Sequence, residues 1–260
     1  MYYDLLSETP LTLEFAEAVI HCATANNEVS KNVVGGLSLS VTGTGGLIES
    51  ARLAGIKNFC FLSTAQVYGT ELSGCIEAEC PKDWSNFYSV NHLLGEDLCR
   101  YFSLCFGLNI ACVRPSNVFG VPPVKTVRRD TLVPNCFIKE AVATGQITLK
   151  STGLQTRNFI SLDCLGECFS ELLDGFPRGF SCLNMGSEWT PTILEISEII
   201  GEQYKQIFND TLKIKTVGTE PERSNIFQYK SAFTSPLCSQ ESSREEMKKV
   251  ISSLIEREKW

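Results

Sequence analysis

A chain of 260 residues, 43% of them hydrophobic, is long enough for one large domain or two unequal ones around a substantial core. Its net charge of -7 and pI near 5.1 exclude the basic face that nucleic acid or an anionic membrane would require. No apolar stretch approaches the ~20 residues of a membrane helix, and two histidines rule out an imidazole-rich metal centre.

The twelve cysteines contain no CxxC pair, and Cys22, Cys60, Cys99, Cys105 and Cys112 sit inside apolar runs. They read as small core residues in a reducing compartment rather than a disulfide framework or a zinc site. With no signal peptide read at Met1, a cytoplasmic location and no bound metal are expected.

In chain order, residues 1–17 are mixed, with a short helix expected through Leu13, Phe15 and Ala16, and Ala18 to Cys22 is a brief strand. Leu37 to Val41 is strand-like and is followed by Thr42, Gly43, Thr44, Gly45 and Gly46 and then a helical run from Leu47. That context suits a phosphate-binding turn, but the glycine spacing argues against one. Phe59 to Leu62 is an unbroken apolar run, hence a buried strand, which stops at a polar turn of Ser63, Thr64 and Gln66 before Gly69.

Ser85 or Asn86 can cap a helix whose apolar stripe is Phe87, Val90, Leu94, Leu98, Tyr101 and Cys105, with Gly107 closing it and Tyr88 and His92 one turn apart on its flank. Ile110 to Val113 is another buried strand, ending at Arg114, Pro115, Ser116 and Asn117. The segment from Glu71 to Asp83 is a polar loop. Past Gly120 a loop carries Lys125, Arg128 and Arg129, either a solvated cluster or an anion-reading one. Further helices begin at Val133-Pro134 and after Thr190 or Thr192. Leu183 to Gly186 and Leu212 to Val217 read as strands, and the tail from Ser239 is an amphipathic helix.

A hydroxyl at a strand end and a tyrosine on the next helix suit proton exchange with a sugar alcohol, the phenol moving the proton and the second hydroxyl orienting the oxygen. The ordered set Ser63-Thr64-Ala65-Gln66-Val67-Tyr68-Gly69, a tyrosine 24 residues after Thr64, and Arg114-Pro115-Ser116-Asn117-Val118-Phe119-Gly120 resembles the extended short-chain dehydrogenase/reductase family, in its NAD-dependent nucleotide-sugar epimerase/dehydratase branch. The likeness extends to Ala18–Thr24, Val41–Thr44, Val133-Pro134, Gly153–Ile160 and Leu183–Gly186, covering about residues 15 to 200.

The resemblance implies an α/β fold: a Rossmann-type parallel sheet lacking its first strand–helix unit, with a smaller mixed C-terminal substrate domain. It also implies a helix through Val41 to Thr44 instead of a phosphate-binding turn. Residues 1–120 would form the partial cofactor domain and 121–260 the substrate-binding region, their segments interleaving. It implies Tyr88, Thr64 and His92 as catalytic residues, and His21, Ala23, Ser40, Tyr88 and His92 beside NAD or NADP. Thr64, Asn117 and Arg157 would bind a nucleotide sugar, with a further cation near Arg223.

Several positions depart from the family pattern. No glycine-rich turn precedes Val19, Ser40 replaces an asparagine, and Asn158 and Cys164 replace aspartates. His92 replaces the lysine whose fixed charge depresses the phenol pKa, so Tyr88 should be a poorer base and Asn91 is left as a neutral ribose partner. Ala65 and Gln66 stand where dehydrating members carry an Asp-Glu pair, which disfavours dehydration and leaves 4-epimerisation or ketone reduction. A non-catalytic sugar-nucleotide-binding relative is the alternative, as is an incomplete chain with an open sheet edge that would favour a homodimer.

Overall fold

The computed structural model describes residues 4–7, 9–13, 15–124, 132–218 and 226–259. Lys125, Arg128, Arg129 and Arg223 lie outside these. In chain order the elements are β1 (Ala18–His21), α1 (Asn27–Ser30), α2 (Val33–Leu37), α3 (Thr44–Leu53), β2 (Asn58–Leu62), β3 (Gly74–Ile76), α4 (Phe87–Phe106), β4 (Asn109–Pro115), β5 (Asn117–Phe119), α5 (Asn135–Thr144), β6 (Gln146–Leu149), β7 (Phe159–Ser161), α6 (Leu162–Asp174), β8 (Phe180–Met185), α7 (Ile193–Phe208), β9 (Lys213–Thr216), β10 (Phe227–Tyr229) and α8 (Gln240–Glu258).

The main sheet is parallel, in the order β1-β2-β4-β8. Strands covered on both faces need apolar side chains at consecutive positions, and β2 and β4 supply them. Phe59, Phe61, Ile110 and Cys112 point to the layer of α3 and α4, while Cys60, Ala111 and Val113 point to α6 with its Leu165, Cys168 and Leu172. Burying Phe59 and Phe61 fully contributes roughly 1.5–3 kcal/mol each. A third cluster joins α5, α7 and α8 around Ile138, Ile196, Ile200 and Ile251. Beyond Gly120 the chain thus returns to the main sheet through β8 and α6. Three two-stranded pairs, β10-β3, β5-β7 and β6-β9, flank it.

Several sequence expectations change. The strand-like Leu37–Val41 is helical: Ser38–Gly43 forms a π-helical turn running into α3, so the glycines at 43, 45 and 46 belong to a helix and not to a phosphate-binding turn. No helix forms among the described residues of 4–17; Leu5, Leu11, Leu13 and Ala16 instead pack against the α3–α4 layer, and the Leu11 amide donates to Ser50 Oγ at 3.0 Å. The loop from Glu71 contains β3, paired with β10.

Helix α4 is capped as expected, by Asn86 accepting from the Ser89 amide and by Gly107 in the left-handed conformation, but its expected buried face is wrong. The stripe Val90, Leu94, Leu98, Tyr101 and Cys105 is half-buried or exposed, and the sheet is met by Ser89, His92, Glu96, Cys99 and Ser103. Close approach explains the choice, since a Cβ on Gly95 would stand 2.6 Å from Phe61 Cζ.

The cysteines also depart from expectation. Ten are free, but Cys164 and Cys238 form a disulfide between α6 and the turn before α8. Residues 74 apart in sequence become neighbours only through tertiary packing, which no local pattern records. Among the described residues no helix is long and apolar enough to cross a membrane.

Candidate functional site

The polar turn after β2 continues the sheet by one bond, the Ser63 amide donating to the Val113 carbonyl at 2.7 Å. Thr64 then caps a single 3-10 turn, Ala65–Tyr68, by accepting from the Gln66 amide at 3.2 Å. Its own hydroxyl proton is committed to no acceptor among the described residues. The turn is tied to the start of α4 by Ser89 Oγ, which donates to the Gln66 carbonyl at 2.7 Å. Tyr88, next to Ser89, therefore begins its helix beside the Thr64 turn.

The Tyr88 ring stands edge-on to His92 at 4.6 Å between centroids, and His92 in turn packs on Phe61. His92 is buried, and neither ring nitrogen has a hydrogen-bond partner among the described residues. Burial lowers its pKa to about 4, the Glu96 carboxylate opposing and His21 reinforcing the shift. Near neutral pH it is an uncharged ring, and it brings no positive charge to the phenol.

His21 also packs on Phe61, donates to or accepts from Thr44 Oγ1 at 3.0 Å, and is likewise lowered to about 4 by burial. Both rings ionise in the unfolded chain near 6.5 but in the fold only near 4. The unfolded state therefore binds more protons in that window, and stability is full above pH 6.5 and falls as pH drops toward 4. One ring accounts for roughly 3 kcal/mol of that fall. A urea series between pH 7.5 and 4 checks this: His92→Phe, which keeps the ring packing, should flatten the acid limb and raise stability at neutral pH by about 1 kcal/mol.

Of the other expected cofactor residues, Ser40 is buried and accepts from the Ala25 amide at 3.0 Å, while Ala23, two residues before Ala25, is exposed. Asn91 is fully buried with its amide donating to Ser30 Oγ at 3.0 Å and Gly36 pressed against it, so it does not reach out to a ribose.

Asn117 and Arg157 both line one cleft. Asn117 is exposed and held by Nδ2 donating to the Asn158 carbonyl at 2.8 Å. Arg157 follows on the same strand-entry segment, its amide bonded to the Pro191 carbonyl and its guanidinium in no ion pair among the described residues. Asn158, where the family carries an aspartate, is buried and donates to the Ser187 and Trp189 carbonyls and Thr190 Oγ1, fixing the turn that anchors Arg157. Gln66, Asn117 and Arg157 share one cleft of about 640 Å³ with Lys150, Glu140 and Phe159, a size suited to a small organic ligand.

Behind the site lies a buried polar network that the sequence did not suggest. Arg114 pairs bidentately with Glu96, Nε to Oε1 at 2.8 Å and Nη2 to Oε2 at 2.6 Å, while Glu96 Oε1 also accepts from Ser63 Oγ at 2.6 Å. Arg114 Nη1 donates to Tyr68 Oη and the Ala78 carbonyl, and Tyr68 donates to Asn184 Oδ1 at 2.6 Å. Burial opposes the Arg114 charge, yet Glu96 holds its pKa above the ordinary value, and burial pushes the Tyr68 phenol up to about 12 despite Arg114. The available signal was spacing: Glu96 follows Tyr88 and His92 at intervals of four.

Residues 3–175 match the family described as NAD dependent epimerase/dehydratase. The chain belongs to that family. Among curated epimerase/dehydratase relatives, the rice GDP-mannose 3,5-epimerase 1 is 28% identical over 59% of this chain and 42% of its own length. The bovine dTDP-D-glucose 4,6-dehydratase is 26% identical over 79% and 56%. The chain thus spans about half the length of the curated relatives it matches. The fold is shared with RMD from Pseudomonas aeruginosa complexed with NADPH, TM-score 0.78 at 20% identity over 100% of this chain and 88% of that one. It is also shared with UDP-glucuronic acid 4-epimerase from Bacillus cereus in complex with UDP-glucuronic acid and NAD, TM-score 0.72 at 21% identity over 95% and 80%.

The epimerase/dehydratase family is NAD dependent, and this chain's residues fit such a dinucleotide in part. Of the residues expected beside the nicotinamide, His92 is buried and neutral near pH 7 and so supplies no cation there. For the pyrophosphate, no glycine-rich strand–turn–helix stands beside β1 among the described residues, and β1 is the edge of the sheet. A pyrophosphate needs helix-end amides or cations, and these residues do not supply them.

Proposed function

We propose that this epimerase/dehydratase-family chain binds a nucleotide sugar in the 640 Å³ cleft, with Asn117 and Arg157 on the diphosphate and the sugar directed toward Thr64 and Tyr88. The observation that carries this reading is Arg157, a half-buried guanidinium without a carboxylate partner among the described residues, sharing a cleft with Asn117 and with Gln66 of the Thr64 turn. A planar, always-charged fork is suited to a diphosphate. Calorimetry of the full chain with UDP-, GDP- and dTDP-sugars should detect binding, and Arg157→Ala should weaken it roughly tenfold to a hundredfold. A parent protein that takes up none of them sinks the reading.

A second reading, NAD(P)-dependent epimerisation or ketone reduction, is favoured by the tie between the Thr64 turn and the first turn of α4. There Tyr88 would exchange the sugar hydroxyl proton while Thr64, whose oxygen already accepts from Gln66, turns its own proton to the sugar oxygen. Dehydration is disfavoured because the cleft meets the neutral amide of Gln66, which gives no proton to a leaving hydroxyl. Nicotinamide fluorescence separates the readings: sugar-nucleotide binding without cofactor uptake supports binding alone. Ten free cysteines suit a reducing compartment, the single disulfide runs against it, and on that balance we assign the cytoplasm.

A further inference from the structure

The lining of the cleft is chemically graded along the chain. Gln66, from the turn after β2, and Asn117 line it together with Arg157 and Gln155, and Gln155 is hydrogen-bonded to Ser151. Ser151 follows Lys150, which comes directly after β6 with its Thr148. Thr148 faces Glu140 of α5, and Glu140 is the only acidic residue among the described residues that line the cleft. Its carboxylate is held in place: Gln146 Nε2 donates to Thr148 Oγ1 at 3.1 Å, and the Thr148 hydroxyl donates to Glu140 Oε1 at 2.7 Å. Glu140 Oε2 accepts no hydrogen bond among the described residues. Along the chain, Lys150 and Arg157 fall between Thr148, which holds this carboxylate, and Asn158, whose carbonyl holds Asn117.

A ligand with a sugar at the Thr64 end and a diphosphate on the cations puts its base against Glu140. We infer that Glu140 is a base-selecting residue and that the cleft takes a guanosine diphosphate sugar, an inference that rests on the nucleotide-sugar reading above. A fixed carboxylate offers two adjacent acceptors and no donor. Guanine alone among the common bases presents two adjacent donors on its pairing edge, N1–H and the 2-amino group, and can bond both oxygens. Uracil and thymine present one imino hydrogen between two carbonyls, whose lone pairs face the carboxylate. Adenine and cytosine each set one amino group beside a ring acceptor. Thr148 leaves the second lone pair of Oε1 available, so its bond orients the carboxylate without using it up.

The probes are GDP, UDP, dTDP and ADP, titrated calorimetrically into the full chain at one salt concentration. GDP should bind roughly tenfold to a hundredfold more tightly than UDP or dTDP, the discrimination a good bidentate base contact gives. In Glu140→Gln the side chain becomes one acceptor beside one donor, which matches the imino hydrogen and carbonyl of uracil. The variant should lose the GDP advantage and bring UDP level or ahead. Equal binding of the four by the parent, or a GDP-to-UDP ratio unchanged in Glu140→Gln, overturns the base assignment while leaving the cleft reading intact. Failure of all four to bind overturns the cleft reading and this assignment with it. The parent ratio needs no variant to fold.

Discussion

Glu96→Ala should cost about 3–5 kcal/mol of folding stability, measured by urea unfolding at neutral pH, which is a large share of the roughly 5–15 kcal/mol such a protein has. The reason is what the change leaves behind. Arg114 is 2% exposed and Glu96 5%, so the guanidinium stays in the interior with only Tyr68 Oη and the Ala78 carbonyl to hold it. Ser63 Oγ loses its partner in the same step. The buried pair itself is not a large net gain over apolar side chains of similar volume. A double change, Glu96→Leu with Arg114→Met, should therefore recover most of the loss. A single Glu96→Ala variant within 1 kcal/mol of the parent would mean that water reaches Arg114, contrary to its burial.

The network bears on function through geometry. Glu96 stands two turns beyond Tyr88 on α4, and it binds both Ser63, next to Thr64, and Arg114, three residues before Asn117. One carboxylate thus fixes the strand ends that carry Thr64 and Asn117 against the helix that carries Tyr88. The quoted Arg114 motif was visible in the sequence, but its partner was not, because the α4 stripe was counted in apolar residues. The helix buries instead the face with Ser89, His92, Glu96 and Cys99, where small and polar residues allow the close approach at Gly95.

What could be read without coordinates follows from where the information lies. Strands β2 and β4 were legible since burial on both faces demands unbroken apolar runs, Phe59–Leu62 and Ile110–Val113. The ends of α4 were legible since Asn86 and Gly107 act locally. Asn117 and Arg157 came from the family likeness, and the cleft brings them together. Glu140 was silent: its place in that cleft depends on β6 setting Thr148 against α5, a contact that periodicity does not encode. The neutrality of His92 was legible from its replacing a lysine, but the depth of burial that lowers its pKa to about 4, against the Glu96 carboxylate, was not.

Breaking the disulfide between Cys164 and Cys238 should lower stability by an amount on the order of 4 kcal/mol, because it closes a loop between residues 74 apart. Within that loop lie β8, which completes the main sheet, and α7, against which α8 packs. Reduction therefore frees the C-terminal part of the unfolded chain more than it alters any folded contact. The choice of variant matters. Cys168 sits one helical turn after Cys164, with its sulfur 3.6 Å from that of Cys238, so Cys164→Ser leaves a second thiol in reach and can close almost the same loop. Cys238→Ser removes both pairings. Urea unfolding of the parent with and without reductant should therefore differ by the full amount, Cys238→Ser should match the reduced parent and ignore reductant, and oxidised Cys164→Ser should fall nearer the parent. A parent whose unfolding midpoint does not move on reduction would show that the folded clusters around α6 and α8 hold those segments without the cross-link.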